Sequence, residues 1–439
     1  MTTLTFLAEP GGALRGRLRV PGDKSISHRA IMLGALAEGV TTVTGFLEGE
    51  DCLATLRAFR AMGVRIDGPE QGRVTVHGAG LRGLSAPNGP LDMGNSGTSM
   101  RLMSGILAGQ AFDTVLTGDA SLTRRPMRRV TEPLARMGAR IETTETGSAP
   151  LRIRGGQRLT GIRYLQSVAS AQVKSCLLLA GLYAEGVTRV TEPAPTRDHT
   201  ERMLEGFAYP LRRESERTVA VTGGGRLKGT EIDVPADISS AAFFLVGASL
   251  APGSDLVLEH VGVNPTRTGV IDILRLMGAD IEVLKPGLAG GEPVADLRVR
   301  HAPLHGIRIP EKLVPLAIDE FPALFVAAAG AEGVTVLTGA AELRVKESDR
   351  IQVMADGLHA LGIAAGPTSD GIVIQGGALA GGTVHSHGDH RIAMSFAMAA
   401  LRASGPIAIN DCANVNTSFP GFVALARNAG LAIQERETA

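Results

Sequence analysis

Six stretches of the chain are apolar at almost every position and are long enough to form helices. They read HRAIMLGALAEG, TSMRLMSGILAGQ, AQVKSCLLLAGLYAEG, ISSAAFFLVGASLAPG, FPALFVAAAGAEG and DHRIAMSFAMAALRASG. A helix that is apolar on all sides is buried on all sides, so we predict six interior helices. Each is followed by a strand pattern, a polar loop and a second helix with charged residues on one face. We predict that these second helices lie on the outside.

The same plan repeats six times along the chain. The repeats open at Gly39, Phe112, Gly186, Gly253, Gly333 and Gly405. A left-handed helix end is expected at one glycine in each repeat, namely Gly63, Gly138, Gly206, Gly278, Gly362 and Gly430. Strands that alternate with helices indicate the α/β class. We predict two lobes of three repeats each, joined near 222–237, with a cleft between them.

The composition narrows the class of protein. The chain has 439 residues, enough for two or three domains, and its 44 Lys and Arg balance its 44 Asp and Glu. This balance argues against a protein that coats nucleic acid, and no apolar run reaches the ~20 residues of a membrane helix. Three scattered cysteines fit neither a disulfide framework nor a zinc site, and the start shows no secretion signal. We therefore expect a cytoplasmic protein that binds neither nucleic acid nor membrane.

The starts of the interior helices carry charged residues. Lys24 and Arg29 lie in GDKSISHRA, and Arg391 lies in GDHR. Helix N-termini bind anions through their free N–H groups, and a cation placed there needs an anionic partner. Ser, Thr, Asn and Asp at such positions are most often only caps, and for each single helix this alternative stays open. Taken together, the starts predict a binding site for a small polyanion.

Three further sequence features bear on other chemistry. GDKS lacks the spaced glycines of a nucleotide-binding loop. His387 and His390 have no third ligand nearby, so we predict no metal site. Glu347 and Arg350 are three residues apart and can simply pair on a helix surface. Together with Asp319, however, they offer carboxylates and a cation for acid–base chemistry.

Eight motifs, taken in order, resemble those of the 5-enolpyruvylshikimate-3-phosphate synthases over essentially the whole chain. They are GDKSISHRA, GNSGTSMR, LTRRPM, SAQVKS, the pair Asp319-Glu320, RVKESDR, GDHRIAMSF and NTSFP. The resemblance implies the α/β enolpyruvyl-transferase fold, in which two lobes, each of three βαβαββ units with buried parallel helices, close on substrate. It implies a C-terminal lobe of residues 1–22 and 238–439 and an N-terminal lobe of residues 23–237. RVKESDR and TRDHT are closer to the second bacterial subgroup.

The resemblance also implies a reaction. The family transfers the enolpyruvyl group of phosphoenolpyruvate to the 5-hydroxyl of shikimate 3-phosphate and releases phosphate, on the shikimate pathway to chorismate and the aromatic amino acids. The same transferase activity is expected here, with these two small molecules as partners and no cofactor. Since the sequence shows no interface stripe, a monomer is expected. Gly97 stands where some herbicide-tolerant members have alanine, so glyphosate is expected to compete with phosphoenolpyruvate.

Individual site residues follow from the matching motifs. Shikimate 3-phosphate is expected to contact Lys24, Ser25, Arg29, Ser170, Ala171, Gln172, Arg197, Asp319 and Lys346. Phosphoenolpyruvate is expected to contact Lys24, Asn95, Gly97, Thr98, Arg125, Gln172, Arg350 and Arg391. Asp319 is the expected base at the 5-hydroxyl. Glu347 and Lys24 are candidates for protonating the methylene carbon and assisting the departure of phosphate, and His390 is expected to hydrogen-bond within that relay.

Two alternative functions remain. Enolpyruvyl transfer to UDP-N-acetylglucosamine uses the same fold, and that family typically has a cysteine in a loop of the second repeat, near SLTRRPM. Cys52, Cys176 and Cys412 all lie elsewhere. A non-catalytic anion-binding protein would need the cations but neither Asp319 nor Glu347, so removing those carboxylates distinguishes it from an enzyme.

Overall fold

The structure, a computed structural model, describes residues 3–438 and the side chains of 4–437. Within them lie twelve α-helices: α1 (Lys24–Leu36), α2 (Glu50–Ala61), α3 (Gly97–Ala108), α4 (Arg128–Arg136), α5 (Ala171–Gly181), α6 (His199–Gly206), α7 (Ile238–Leu250), α8 (Gly269–Leu276), α9 (Phe321–Ala329), α10 (Arg350–Ala360), α11 (His390–Ala399) and α12 (Phe422–Ala429).

The same residues contain 23 β-strands. In chain order they are β1 (Thr3–Ala8), β2 (Arg15–Leu18), β3 (Glu38–Thr44), β4 (Arg65–Glu70), β5 (Arg73–Ala79), β6 (Leu91–Asp92), β7 (Thr114–Thr117), β8 (Arg140–Glu142), β9 (Leu151–Arg154), β10 (Arg163–Leu165), β11 (Val187–Thr191), β12 (Leu211–Ser215), β13 (Thr218–Thr222), β14 (Glu231–Asp233), β15 (Asp255–Gly262), β16 (Asp280–Ala289), β17 (Glu292–Arg300), β18 (Val334–Leu337), β19 (Ala365–Pro367), β20 (Ile372–Gln375), β21 (Gly382–His385), β22 (Ile407–Asn410) and β23 (Ile433–Thr438).

The helices alternate between interior and exterior positions, as the apolar pattern predicts. The odd-numbered helices are the six apolar stretches, and every residue of α7 and α9 is buried. The even-numbered helices bury one face only; α4, for example, buries Val130 and Leu134 and exposes Arg136. Small residues on the interior helices permit close packing, which explains how a core without Trp is filled.

Six small sheets separate these helices. Their strand orders are β14-β3-β5-β4, β6-β7-β9-β8, β10-β11-β13-β12, β16-β17-β15-β2, β18-β20-β19 and β21-β22-β1-β23. The first, fourth and sixth sheets each include a strand from a distant part of the chain, namely β14, β2 and β1. In the fifth sheet, two isolated parallel bridges, His305 to Glu332 and Arg308 to Val336, stand where the other repeats have a first strand.

The chain divides into two compact units, each with its own hydrophobic core. Unit 1 contains 3–21, Pro235–Leu288 and 293–438, and unit 2 contains Gly22–Val234 and Ala289–Glu292. The expected C-terminal lobe, 1–22 and 238–439, includes the turn Ala289–Glu292, which the structure places in unit 2. The turn belongs to unit 2 because Glu292 Oε1 lies 2.8 Å from His199 Nδ1 and the Gly291 carbonyl accepts a hydrogen bond from Arg202.

Five of the six expected helix-ending glycines have the left-handed backbone, with positive φ at Gly63, Gly138, Gly278, Gly362 and Gly430. The expectation for Gly206 is wrong, because Gly206 is the last residue of α6. The left-handed position is Ala208, with φ of 59°. The Tyr209 N–H donates to the Leu204 carbonyl at 2.8 Å and closes this helix end around the alanine.

Replacing Ala208 by glycine is expected to raise the free energy of unfolding by about 0.5–1 kcal/mol, because a Cβ in the left-handed region is strained. Thermal or urea unfolding measures the change. Ala135→Gly is the matched control, since Ala135 is an exposed residue inside α4, and it is expected to destabilise by a similar amount. A loss of stability in both variants would contradict the strain at Ala208.

Candidate active site

Five of the six interior helices begin directly after a side chain that accepts a hydrogen bond from the first turn. These caps are Asp23, Ser96, Ser170, Asp237 and Asp389. The capping role, which the sequence left open, is therefore correct for these five residues. The predicted cations are different side chains in or beside the same first turns, so capping does not account for them.

The start of α3 in unit 2 is surrounded by arginine side chains. A Cβ added at Gly97 would lie 3.2 Å from Arg101 Nη1 and 3.3 Å from Arg125 Nη1. Arg125 Nη2 donates to Asn95 Oδ1 at 2.6 Å, which orients the guanidinium beside the helix start. Two guanidinium groups thus lie at the start of α3 where Gly97 leaves space, an arrangement that suits a phosphate or carboxylate.

The starts of α3 and α5 are joined through Gln172. Arg101 Nη1 donates to Gln172 Oε1 at 2.6 Å, and Gln172 Nε2 donates to Thr98 Oγ1 at 3.0 Å. Ser170 caps α5 and Ala171 is its first residue. Gln172 therefore links Thr98, predicted to contact phosphoenolpyruvate, with the start of α5, where Ser170 and Ala171 are predicted to contact shikimate 3-phosphate.

The first two turns of α1 contribute Lys24, Ser25 and Arg29. Lys24 forms an ion pair with Asp51 of α2, and its side chain remains 16% exposed. Arg29 is buried and donates to Ser25 O at 2.9 Å, Ser175 Oγ at 2.8 Å and Thr200 Oγ1 at 2.7 Å. Lys24 is accessible to a ligand, whereas Arg29 is held by its hydrogen bonds.

Burial lowers the pKa of two side chains on α1, Arg29 and His28. It lowers the pKa of Arg29 to about 10, and the neighbouring charge of Arg197 acts in the same direction. It also lowers the pKa of His28 well below its usual value, with help from Lys24 and Arg29. His28 is therefore neutral at pH 7, and the positive charge of this region comes from the lysine and the arginines.

In unit 1, Arg350 is the central cation. It is 1% exposed; Nε lies 2.8 Å from Asp389 Oδ2, and Nη2 lies 2.6 Å from Glu347 Oε2. Burial alone would lower its pKa, but Asp389, Glu347 and Asp319 outweigh burial and raise the pKa above its usual value. Arg350 Nη1 makes no hydrogen bond to a described residue and lies 3.5 Å from Asp319 Oδ1. This buried N–H group is available to an anionic ligand.

The predicted acid–base residues of unit 1 lie around that cation. Asp319 Oδ1 is 3.4 Å from Lys346 Nζ as well as 3.5 Å from Arg350 Nη1. The side chains of Asp319 and Glu347 are 14% and 21% exposed, so both carboxylates are reachable. The local pairing of Glu347 with Arg350 is confirmed, but Arg350 is buried, so the pair is not a surface pair.

The start of α11 completes this group. Arg391 Nη1 donates to the backbone carbonyl of Asp319 at 3.1 Å, which fixes the segment that carries the carboxylate. His390 is the first residue of α11 and is buried. Asp389, the cap, accepts from the Arg391 N–H at 3.0 Å and from Ser348 Oγ at 3.0 Å.

Three site residues were missed by sequence reasoning. Asp51 pairs with Lys24, Asp389 holds Arg350, and Arg101 binds Gln172. Asp389 and Arg101 stand beside predicted helix starts, but nothing in the local spacing assigned them a partner. Asp51 opens an exterior helix, where a carboxylate is ordinary, so the sequence gave no signal for it.

Within 3–438, no three His, Cys, Asp or Glu side chains are grouped so that they hold a metal ion. No helix in that part of the chain combines the length and the apolarity needed to cross a bilayer.

Comparison with known proteins identifies similar chains. A model of the family "EPSP synthase (3-phosphoshikimate 1-carboxyvinyltransferase)" matches residues 8–425. A 3-phosphoshikimate 1-carboxyvinyltransferase of Methylococcus capsulatus is 72% identical over 431 residues, which cover 98% of both chains.

Solved structures give the same family and fold. An EPSP synthase from Acinetobacter baumannii has 61% identity and a TM-score of 0.88, covering 99% of this chain and all of that one. The enolpyruvyl transferase NikO from Streptomyces tendae is only 16% identical, with a TM-score of 0.79 and full coverage of both chains. NikO supports the enolpyruvyl-transferase fold alone.

Proposed function

The chain belongs to the EPSP synthase family, the 3-phosphoshikimate 1-carboxyvinyltransferases, and from this membership we propose how its two groups of site residues perform the reaction. The protein is an enzyme of the shikimate pathway that transfers the enolpyruvyl group of phosphoenolpyruvate to shikimate 3-phosphate. The full-length family match favours this function over transfer to a UDP-sugar and over non-catalytic anion binding.

The proposed contacts of phosphoenolpyruvate are cations and residues at helix N-termini. In unit 2 its contacts are Lys24, Asn95, Gly97, Thr98, Arg125 and Gln172, and in unit 1 they are Arg350 and Arg391. The observation that carries this proposal is Arg350 Nη1, a buried N–H group without a hydrogen bond to a described residue. A carboxylate or phosphate oxygen satisfies such a group and balances its charge.

Shikimate 3-phosphate is bound mainly by the starts of α1 and α5. Its contacts are Lys24, Ser25, Arg29, Ser170, Ala171, Gln172 and Arg197 in unit 2, with Asp319 and Lys346 in unit 1. Lys346 lies 3.4 Å from Asp319, so a hydroxyl bound by the lysine is also within reach of the carboxylate.

The chemistry is an addition followed by an elimination. Asp319 takes the proton of the 5-hydroxyl while the hydroxyl oxygen bonds to C2 of phosphoenolpyruvate. In the same addition, C3 gains a proton from Glu347 or Lys24. The tetrahedral adduct then loses phosphate from C2 and a proton from C3, which restores the double bond. His390 supports this relay, and Lys24 and the arginines stabilise the charge on the departing phosphate.

A phosphate-release assay tests the function. The purified protein is mixed with phosphoenolpyruvate and shikimate 3-phosphate, without added ATP or metal, and phosphate is measured. Release that depends on both substrates is expected. Release only with a UDP-sugar, or only with ATP, would contradict the assignment.

Replacing Gly97 by alanine is expected to raise KM for phosphoenolpyruvate about tenfold. The added methyl lies within 3.3 Å of the two guanidinium groups and displaces them or the substrate. Glyphosate is expected to inhibit the unchanged enzyme in competition with phosphoenolpyruvate and to inhibit G97A less. Initial rates over both concentrations measure the two effects.

Gly89→Ala is the matched control, since a Cβ at Gly89 meets no atom within 4 Å. It is expected to leave both constants unchanged. Full turnover of the unchanged enzyme at high glyphosate, or an unaltered KM in G97A, would contradict the placement of phosphoenolpyruvate beside Gly97.

We propose that the enzyme is a cytoplasmic monomer. All three cysteines are buried free thiols, which is consistent with a reducing compartment. Sedimentation at assay concentrations tests the oligomeric state.

A further inference from the structure

Lys174 is a buried cation held by two carboxylates. It lies in the second turn of α5 and is 2% exposed. Its Nζ is 2.8 Å from Glu192 Oε2, 2.7 Å from Glu201 Oε1 and 3.4 Å from the Thr196 carbonyl. Burial alone would lower the pKa of Lys174, but the two carboxylates outweigh burial and raise it. The lysine is therefore charged and has no access to substrate.

Its partners hold one loop in place. Glu192 directly follows β11, Thr196 lies in the loop to α6, and Glu201 lies in α6. The Thr196 hydroxyl donates to the second oxygen of Glu192, Oε1. Lys174 thus ties the loop 192–198 to α5 at both ends, and Arg197 lies in this loop.

The adjacent residues form a second link between the same two helices. Thr200 Oγ1 donates to Ser175 Oγ at 2.7 Å, and Arg29 donates to both hydroxyls. After burial, the charge of Glu201 is the largest influence on the pKa of Arg29, and it raises that pKa. Lys174 and Arg29 therefore share Glu201 electrostatically across one contact between α5 and α6.

Buried ion clusters contribute little net stability compared with apolar packing, so stability alone does not explain this one. The start of α5 carries Ser170 and Gln172, and the loop carries Arg197, all assigned above to shikimate 3-phosphate. Arg29 of α1, assigned to the same substrate, donates a hydrogen bond to Thr200 of α6.

We propose that Lys174 is a positioning residue for shikimate 3-phosphate. It fixes the Arg197 loop and keeps Glu201 neutralised, so that the Arg29 guanidinium is not drawn toward Glu201. This inference rests on the proposed function, because it takes the assignment of Arg29 and Arg197 to this substrate as its premise. Phosphoenolpyruvate, assigned mainly to the start of α3, is not expected to depend on Lys174.

The test uses the double variant Lys174→Met with Glu201→Gln. Lys174→Met alone leaves two carboxylates buried without their cation and risks misfolding, whereas the double variant removes one charge of each sign. It is expected to raise KM for shikimate 3-phosphate, and Kd measured by calorimetry, about tenfold or more, because the loop that carries Arg197 loses the ties of Lys174 to Glu192 and to the Thr196 carbonyl. Since the Glu201 charge is removed as well, this variant tests the tie to the loop and not the pull of Glu201 on Arg29. KM for phosphoenolpyruvate and kcat at saturation are expected to change less than about threefold. The single variant Lys174→Arg, which keeps the positive charge, is expected to retain much of the affinity for shikimate 3-phosphate.

Arg189→Met with Glu214→Gln is the matched control. This pair joins strands of the same repeat with an Nε to Oε2 distance of 2.5 Å, and it contacts none of the assigned residues. It is expected to leave both KM values unchanged. Thr196→Val provides an independent variant, because it removes only the hydroxyl bonded to Glu192, and it is expected to raise KM for shikimate 3-phosphate by a smaller factor.

The outcomes separate this inference from the proposed function. If the unchanged enzyme fails to bind shikimate 3-phosphate, the proposed function fails. If it binds and the folded double variant binds equally well, or if both KM values and kcat change together, the positioning role of Lys174 is wrong. If the double variant does not fold, T196V provides the test. An unchanged KM for shikimate 3-phosphate in T196V would then overturn the inference.

Discussion

Asp319→Asn is expected to lower kcat about 10²- to 10⁴-fold, the range usual for loss of a general base. The amide has nearly the same shape as the carboxylate but does not accept the proton of the 5-hydroxyl. The variant keeps its backbone contact with Arg391 and lies beside the same Lys346 and Arg350. KM for phosphoenolpyruvate is therefore expected to change far less than kcat. Phosphate release at saturating substrates measures the effect.

Glu342→Gln is the control for charge near Lys346. Glu342 Oε1 lies 3.9 Å from Lys346 Nζ, so this variant removes a carboxylate from the same lysine but not from the reacting hydroxyl. It is expected to retain most of kcat. A similar kcat in D319N and E342Q would show that Asp319 acts only through its charge, and the proposed proton transfer would be wrong.

Arg350→Met is expected to lower the free energy of unfolding by about 3–5 kcal/mol, which is the usual effect of removing one partner of a buried ion pair. The substitution leaves Asp389 and Glu347 without the guanidinium that holds both, and Asp389 is itself 0% exposed. The variant is also expected to lose measurable affinity for phosphoenolpyruvate. Urea unfolding reports the stability, and calorimetry reports the affinity.

Arg300→Met removes an arginine that pairs with Asp280 on an exposed strand. It is expected to leave the unfolding transition nearly unchanged, because exposed ion pairs are screened by water and salt. If R350M unfolded at the same urea concentration as R300M, the buried carboxylates would not depend on Arg350, and its central role in unit 1 would be refuted.

The interior helices were predictable because their signal is local. A segment such as ISSAAFFLVGASL has no polar face to expose, and α7 buries all of it. Sheet composition was not predictable in this way, because β14, β2 and β1 pair with strands far along the chain. Only the resemblance to a known family indicated that the first residues join the C-terminal part.

The site shows the same division between local and distant pairing. Glu347 lies three residues before Arg350, the first residue of α10, so their pairing follows from closeness in the chain. The contacts of Arg350 with Asp389 and of Lys24 with Asp51 join different helices, and no spacing rule reports them. The helix end at Ala208 was missed because a favourable glycine, Gly206, stands two residues earlier. Tertiary packing set the end of α6 against that local preference.

The pairing of β1 with β23 has a consequence for synthesis on the ribosome. Phe6 pairs with Glu435, and Arg17 of β2 pairs with Val257. Unit 2 is almost continuous in the chain, so most of it is able to fold while unit 1 is still being made. At ~5–20 residues per second, the first strand emerges and then waits on the order of a minute for its partner. During that time its unpaired edge is exposed to other nascent chains, so chaperone demand is expected to centre on the first strand and not on the catalytic helices.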